Sequence, residues 1–136
     1  MAKLTSAKVQ ELYTAINGLN GYVRQATVNG RDMDVQQPYV FSTETTLAIL
    51  ANRKALRKII EADDETRNDL IKQLSGGGDK VEPGSAQMAQ FMSAYQLIMA
   101  TEHDVDLKTI TIADLNPGPV NPILVETLDR LEPIIK

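Results

Sequence analysis

The chain has no cysteine and no tryptophan, and its 136 residues include one histidine, two phenylalanines and four tyrosines. Without cysteine there is no disulfide, no thiolate metal site and no Cys nucleophile, and nothing marks the redox compartment. The lone histidine, His103, speaks against a catalytic triad and against a multi-His metal centre. Long apolar runs are missing too. No segment approaches the ~20 apolar residues that span a bilayer. No apolar stretch follows Met1-Ala2-Lys3-Leu4, so no secretory signal is expected. The expected location is the cytoplasm, or an assembly built there.

Glycine and proline are absent from one long stretch, Phe41 to Ser75, which is rich in Leu, Ala, Ile, Arg, Lys and Glu. These are good helix formers. The stretch begins just past Pro38 and stops at Gly76-Gly77-Gly78. It predicts one long central helix. Leu47, Leu50, Ala51 and Ala55 form its stripe, which Leu56, Ile59 and Ile60 continue. From Glu61 to Asp69 only Ala62 is apolar, then Leu70, Ile71 and Leu74 resume. A continuous or gently kinked helix is the favoured reading. The other is a break near Ala62–Thr66, with Asp63 or Asp64 capping a new start.

The remaining elements follow from local period. Val9, Leu12, Tyr13 and Ile16 mark a first helix, capped by Thr5 or Ser6 and ended by Gly18, Asn20 and Gly21. Residues 22–36 predict a hairpin turning at Asn29-Gly30, which tolerates the positive φ angles a tight turn demands. Its apolar alternation is thin, so it is expected to lie on helices or to reach a partner. After the glycines, Ser85 caps a third helix whose stripe is Met88, Phe91, Met92, Tyr95, Ile98 and Met99, the best-patterned core face in the chain. Val105 and Leu107 alternate as a strand does, and Ile110 and Ile112 do so in the opposite parity. Asp114 to Pro119 reads as a loop. Asn121-Pro122 starts a last helix with Leu124, Val125, Leu128 and Leu131 inward, and the apolar tail Ile134-Ile135 docks on the domain or on a neighbour. The expected fold is α+β, mostly α: about four helices, one long and central, with a small hairpin and a short strand pair, in a single domain. That length is ordinary for one domain, and it buries roughly two thirds of the unfolded surface.

Charge is uneven. Residues 1–60 carry eight Lys/Arg and four Asp/Glu, a surplus of four positive charges; residues 61–136 carry six and fourteen, a surplus of eight negative ones. Such asymmetry can guide a partner or head-to-tail self-assembly. Arg53, Lys54, Arg57 and Lys58 lie on one helix face, where phosphates or an acidic protein would bind. The chain as a whole is acidic, with an isoelectric point near 4.9, and no Phe sits beside the cluster. Nucleic acid is therefore disfavoured as a partner.

Catalytic parts are scarce. Glu102, Asp104 and Asp106 share a face only if they lie on a strand, and there they read as a polar face that discourages edge pairing. Asp63-Asp64-Glu65 diverge by about 100° each on a helix and cannot converge on one ion. The triple glycine follows a helix and lacks the Gly-Lys-Ser/Thr ending of a phosphate loop. No enzyme activity, metal or cofactor is expected.

The order of parts resembles a group of small hypothetical proteins of tailed bacteriophages. The pieces that carry the resemblance are Leu56 to Leu74, Phe91, Val105-Asp106-Leu107, Ile110 to Leu115, and Leu128, Leu131 and Pro133-Ile134, over about residues 41–135. The hairpin at Asn29-Gly30 lies outside it. The resemblance implies a phage late-gene or accessory protein without assigned activity, so no functional residue is carried over, and it places the chain in the infected host's cytoplasm or in the virion. The function expected on this basis is protein contact: a virion structural or assembly component that binds copies of itself or other virion proteins. Asn29, Gly30, Ile134 and Ile135 are the candidate subunit contacts, and the basic face at 53–58 is a candidate partner site. The alternative is a soluble phage factor that inhibits a host enzyme through its acidic C-terminal half.

Overall fold

The computed structural model describes residues 1–136. In chain order the elements are β1 (Ala2–Thr5), α1 (Ser6–Asn17), a 3-10 turn (Gly18–Asn20), β2 (Tyr22–Val28), β3 (Arg31–Gln37) and α2 (Thr43–Leu74). Then follow α3 (Ala86–Ala100), β4 (Glu102–Val105), α4 (Ile112–Leu115), α5 (Val125–Arg130) and a closing 3-10 turn (Glu132–Ile134). The fold is α+β and mostly α, as the sequence predicts. It resolves into two compact units, Met1–Gln10 with Lys54–Asp106, and Glu11–Arg53 with Leu107–Lys136.

Helix α2 is unbroken, and its ends are built by local chemistry. Ser42 Oγ accepts from the Thr45 N–H at 3.1 Å, satisfying one free donor of the first turn. At the other end Gly76 takes φ +68°, and the Gly77 N–H reaches the Lys72 carbonyl at 2.7 Å, a Schellman closure that needs a residue without Cβ strain. No new cap forms at Asp63 or Asp64. Asp64 instead pairs along the helix with Arg67 at 3.5 Å.

In the first unit β1 pairs antiparallel with β4, setting Ala2 opposite Val105 and Leu4 opposite His103. The expected strand pair therefore exists, but with a different partner. Ile110 and Ile112 do not join a second strand of it, because Ile112 opens helix α4. Strand alternation turns Leu4 and Val105 inward and leaves Glu102 and Asp104 exposed. Thr5 Oγ1 accepts from the Lys8 N–H at 3.2 Å and so caps α1. Ser85 Oγ caps α3 by accepting from the Met88 N–H at 3.1 Å. The sealed apolar side chains are Leu4, Val9, Leu56 and Val105. From Arg57 to Asp104 no residue is buried. The α3 stripe expected to be core is thus half-covered at best, and Met92 is exposed. Sealing a stripe needs cover from several sides, and this unit's sealed apolar side chains lie on β1, β4 and the helices outside α3.

In the second unit β2 and β3 form the predicted hairpin, with Tyr22 opposite Gln37 and Val28 opposite Arg31. Asn29 and Gly30 take φ +52° and +75°, the two left-handed positions of a primed two-residue turn. At the base, Gly21 has φ +151°, and a Cβ there would stand 2.5 Å from the Gln37 carbonyl oxygen. The hairpin does not lie buried on helices; most of its residues are exposed on both faces.

The unit's core holds Leu12, Ala15, Ile16, Leu19, Ile49, Ile110, Leu115, Ile123, Leu131 and Ile134. Two buried amides frame it. Asn52 Nδ2 donates to the Lys108 carbonyl at 2.8 Å while its Oδ1 accepts from the Lys108 N–H at 2.6 Å. Asn121 Oδ1 accepts from the Val40 N–H at 2.7 Å, and Nδ2 donates to the carbonyls of Val40 and Leu115, both at 2.8 Å. Asn121 is therefore a buried clamp and not a helix cap. Helix α5 begins four residues later, leaving Leu124 and Val125 in solvent instead of on a core stripe. Asp114 and Leu115 fall in α4 and not in a loop.

Asn121→Asp keeps the shape but replaces the one nitrogen that donates twice with an oxygen facing both carbonyls. We expect a loss of about 3 kcal/mol in urea unfolding, at least as large as for Asn121→Ala, because buried carbonyls lose their donor in both. Gly21→Ala is expected to loosen the hairpin base, read as faster amide exchange across the Tyr22–Gln37 pair.

Candidate functional site: a cleft beside exposed leucines

In the second unit the buried face of α2 runs through Thr45, Ile49 and Asn52. Two polar residues stand where the apolar period calls for none. Both are satisfied: Asn52 by the Lys108 backbone, Thr45 by a hydroxyl contact with Ser42 at 2.9 Å. The face is thereby rotated away from the predicted stripe, and Leu47 and Leu50 stand 60% and 42% exposed.

Beside them lies a cleft of about 600 Å³, within the roughly 300–1,000 Å³ of ordinary binding pockets. Leu47, Ala48, Ala51 and Ile110 supply its apolar lining, and Glu44, Lys108 and Asp114 its charges. Its wall from Lys108 to Ile110 is pinned from behind. Asn52 holds Lys108, the Ile110 N–H reaches the Ile134 carbonyl at 2.8 Å, and the Lys136 N–H returns to the Ile110 carbonyl at 2.8 Å. Asp114 is engaged in a capping box. Its carboxylate accepts from the Thr111 N–H at 2.8 Å, while Thr111 Oγ1 accepts from the Asp114 N–H at 3.1 Å. Glu44 and Lys108 are exposed. A rigid wall, an apolar lining and two opposite charges suit the docking of an amphipathic side chain or segment. No three His, Asp or Glu side chains anywhere in the chain group as metal ligands would, and no helix is long and apolar enough to cross a membrane.

The residues singled out by sequence are scattered. Asn29 and Gly30 sit exposed at the hairpin tip. Register puts Ala26, Val28, Met33 and Val35 on one hairpin face with Arg24 and Arg31, and Asp32 and Asp34 on the other. Ile134 is fully buried and Ile135 half-buried, bridged to Ile110, so the tail docks on its own unit; Ile134 has no surface to offer a neighbour, and Ile135 keeps part of its own. Lys54, Arg57 and Lys58 are exposed on α2. Arg53 is half-buried and donates to Asn20 Oδ1 at 3.3 Å.

One pair escaped the sequence reading. Ser6 Oγ lies 2.7 Å from His103 Nε2. A single histidine suffices for a serine–histidine pair. Ser6 is fully buried, and its hydroxyl lies against the imidazole. The two stand 97 positions apart in sequence, and the β1–β4 pairing brings them together.

No family model, curated protein or solved structure matches the chain.

Tyr22, Tyr39 and Phe41 form a ring cluster, with centroids 5.2 and 5.8 Å apart. Burial, and then the charge of Tyr22, raise the Tyr39 phenol above its usual 10.0. The folded chain holds this proton to higher pH than the unfolded chain does. Its contribution to stability is complete below about pH 10 and is lost as pH climbs through the raised value. Tyr39→Phe is expected to flatten the decline in stability above about pH 10, followed by urea unfolding at stepped pH.

Proposed function

We propose that this chain acts by protein contact, as a structural or assembly component of a tailed bacteriophage. The observation that carries the reading is the placement of Leu47 and Leu50. A helix that turns two polar residues inward and two leucines outward, beside a cleft, has a surface suited to another protein. Isolated exposed apolar residues are ordinary. Here Ile112 joins the leucines at 43% exposure, close to the cleft residues Ile110 and Asp114 in sequence. The fold mixes the two charge blocks of the sequence within each unit, so opposite charges lie side by side and not at two ends; copies that meet head to tail make a heterologous contact that closes into rings or grows into filaments. The exposed hairpin, with arginines on one face and aspartates on the other, is a second arm for such contacts. The partner is another copy of the chain or another virion protein, and the site of action the infected host's cytoplasm or the virion.

The test is solution mass by light scattering over a concentration series at two salt levels. Assembly beyond a dimer, weakened by salt, is expected. Leu47→Asp with Leu50→Asp should weaken it at least about tenfold, since burying each leucine contributes about 1.5–3 kcal/mol. Circular dichroism should be unchanged, because both side chains are exposed in the monomer. A mass that never exceeds a dimer, with the double variant identical, removes this reading. It favours the alternative, an inhibitor that uses the exposed Glu102 and Asp104 of β4 against a host enzyme.

A further inference from the structure

Helix α3 contains no charged residue in its fifteen positions, AQMAQFMSAYQLIMA, and none of them is buried. Apolar residues on every side of a helix mean that every side is normally covered. Leu97 is the most exposed of its large apolar side chains at 73%. It borders a groove of about 350 Å³ in the first unit, lined by Leu70 and Gln73 of α2 and by Ala94 and Ile98 of α3.

A protruding side chain and a groove that would hold it thus occupy the same patch. That is the condition for an isologous contact: under a two-fold axis each copy places its knob in the other's groove, and both are filled at once. A partner of different sequence would fill the groove and leave Leu97 in need of a second pocket. Charge points the same way. Two-fold apposition sets like against like, and a helix bearing Lys or Glu would repel its own copy. This is the one long helix in the chain without either. The groove's only charge is Asp69, on its α2 side.

We infer that α3 pairs with α3 of a second copy, Leu97 of each seated in the groove between Leu70 and Ile98 of the other. The inference rests on reading the chain as one that works by protein contact, and it names a partner and an axis that the leucine cleft does not. Two copies would also cover part of the stretch from Arg57 to Asp104, in which no residue is buried. A fifteen-residue helix is about 22 Å long. Its contact falls below the roughly 800 Å² per partner of a standard interface, so the pair should dissociate in the micromolar range.

The experiment is sedimentation velocity on the full chain from about 1 to 200 µM, spanning that range. A monomer–dimer equilibrium is expected, shifted more than tenfold toward monomer by Leu97→Glu and kept by Leu97→Met. The chain has no cysteine, so Leu97→Cys gives a clean second readout: a disulfide-linked dimer on mild oxidation, absent for Leu124→Cys, which is nearly as open at 69%. A wild-type chain that stays monomeric, or a dimer indifferent to Leu97→Glu with no Leu97→Cys cross-link, overturns the pairing. The cleft reading fails separately. It is lost when Leu47→Asp with Leu50→Asp leaves growth beyond the dimer untouched, whatever Leu97→Glu does.

Discussion

A buried asparagine amide closes the second unit. Asn121 has no exposed surface, and its three hydrogen bonds go to backbone groups at Val40 and Leu115. Segments distant in sequence are joined without a strand between them, because the side-chain amide presents the same donor and acceptor as a peptide bond. Asn52 repeats the device on Lys108. Buried backbone groups must be paired, and irregular segments cannot pair with themselves. Two side-chain amides solve this where the chain has too little β structure to do so.

The cleft is a consequence. Because Asn52 is turned inward to reach Lys108, α2 is rotated so that Leu47 and Leu50 face water. Because Lys108 and Ile110 are both held from behind, the opposite wall is rigid without being covered. The same constraint that completes the core therefore exposes the surface proposed for partners. The tail belongs to this logic as well: Ile134 and Lys136 close on Ile110, so the tail stabilises the wall, and Ile134 is sealed within the unit.

Helix α3 shows a different way for a patterned stripe to leave the core. Its period is regular, its cap forms as expected, and still no residue is sealed. Periodicity reports that a face is apolar; it does not report whether the monomer contains enough mass to cover it. When it does not, a second chain is the economical source of cover, and an uncharged helix can meet its own copy without repulsion.

Local chemistry made several parts legible in the sequence: the hairpin and its Asn29-Gly30 turn, the unbroken α2 with its glycine terminus, the caps of α1 and α3, and the mostly α character. Each depends on residues within a few positions of one another, so short-range sterics and hydrogen bonding suffice. Tertiary structure alone decided the partner of β4, the inward turn of Thr45 and Asn52, the roles of Asn121 and Ile134, and the meeting of Ser6 with His103. Those depend on which distant backbone group a polar side chain can satisfy. An apolar period cannot register that, because it treats every buried polar residue as an error.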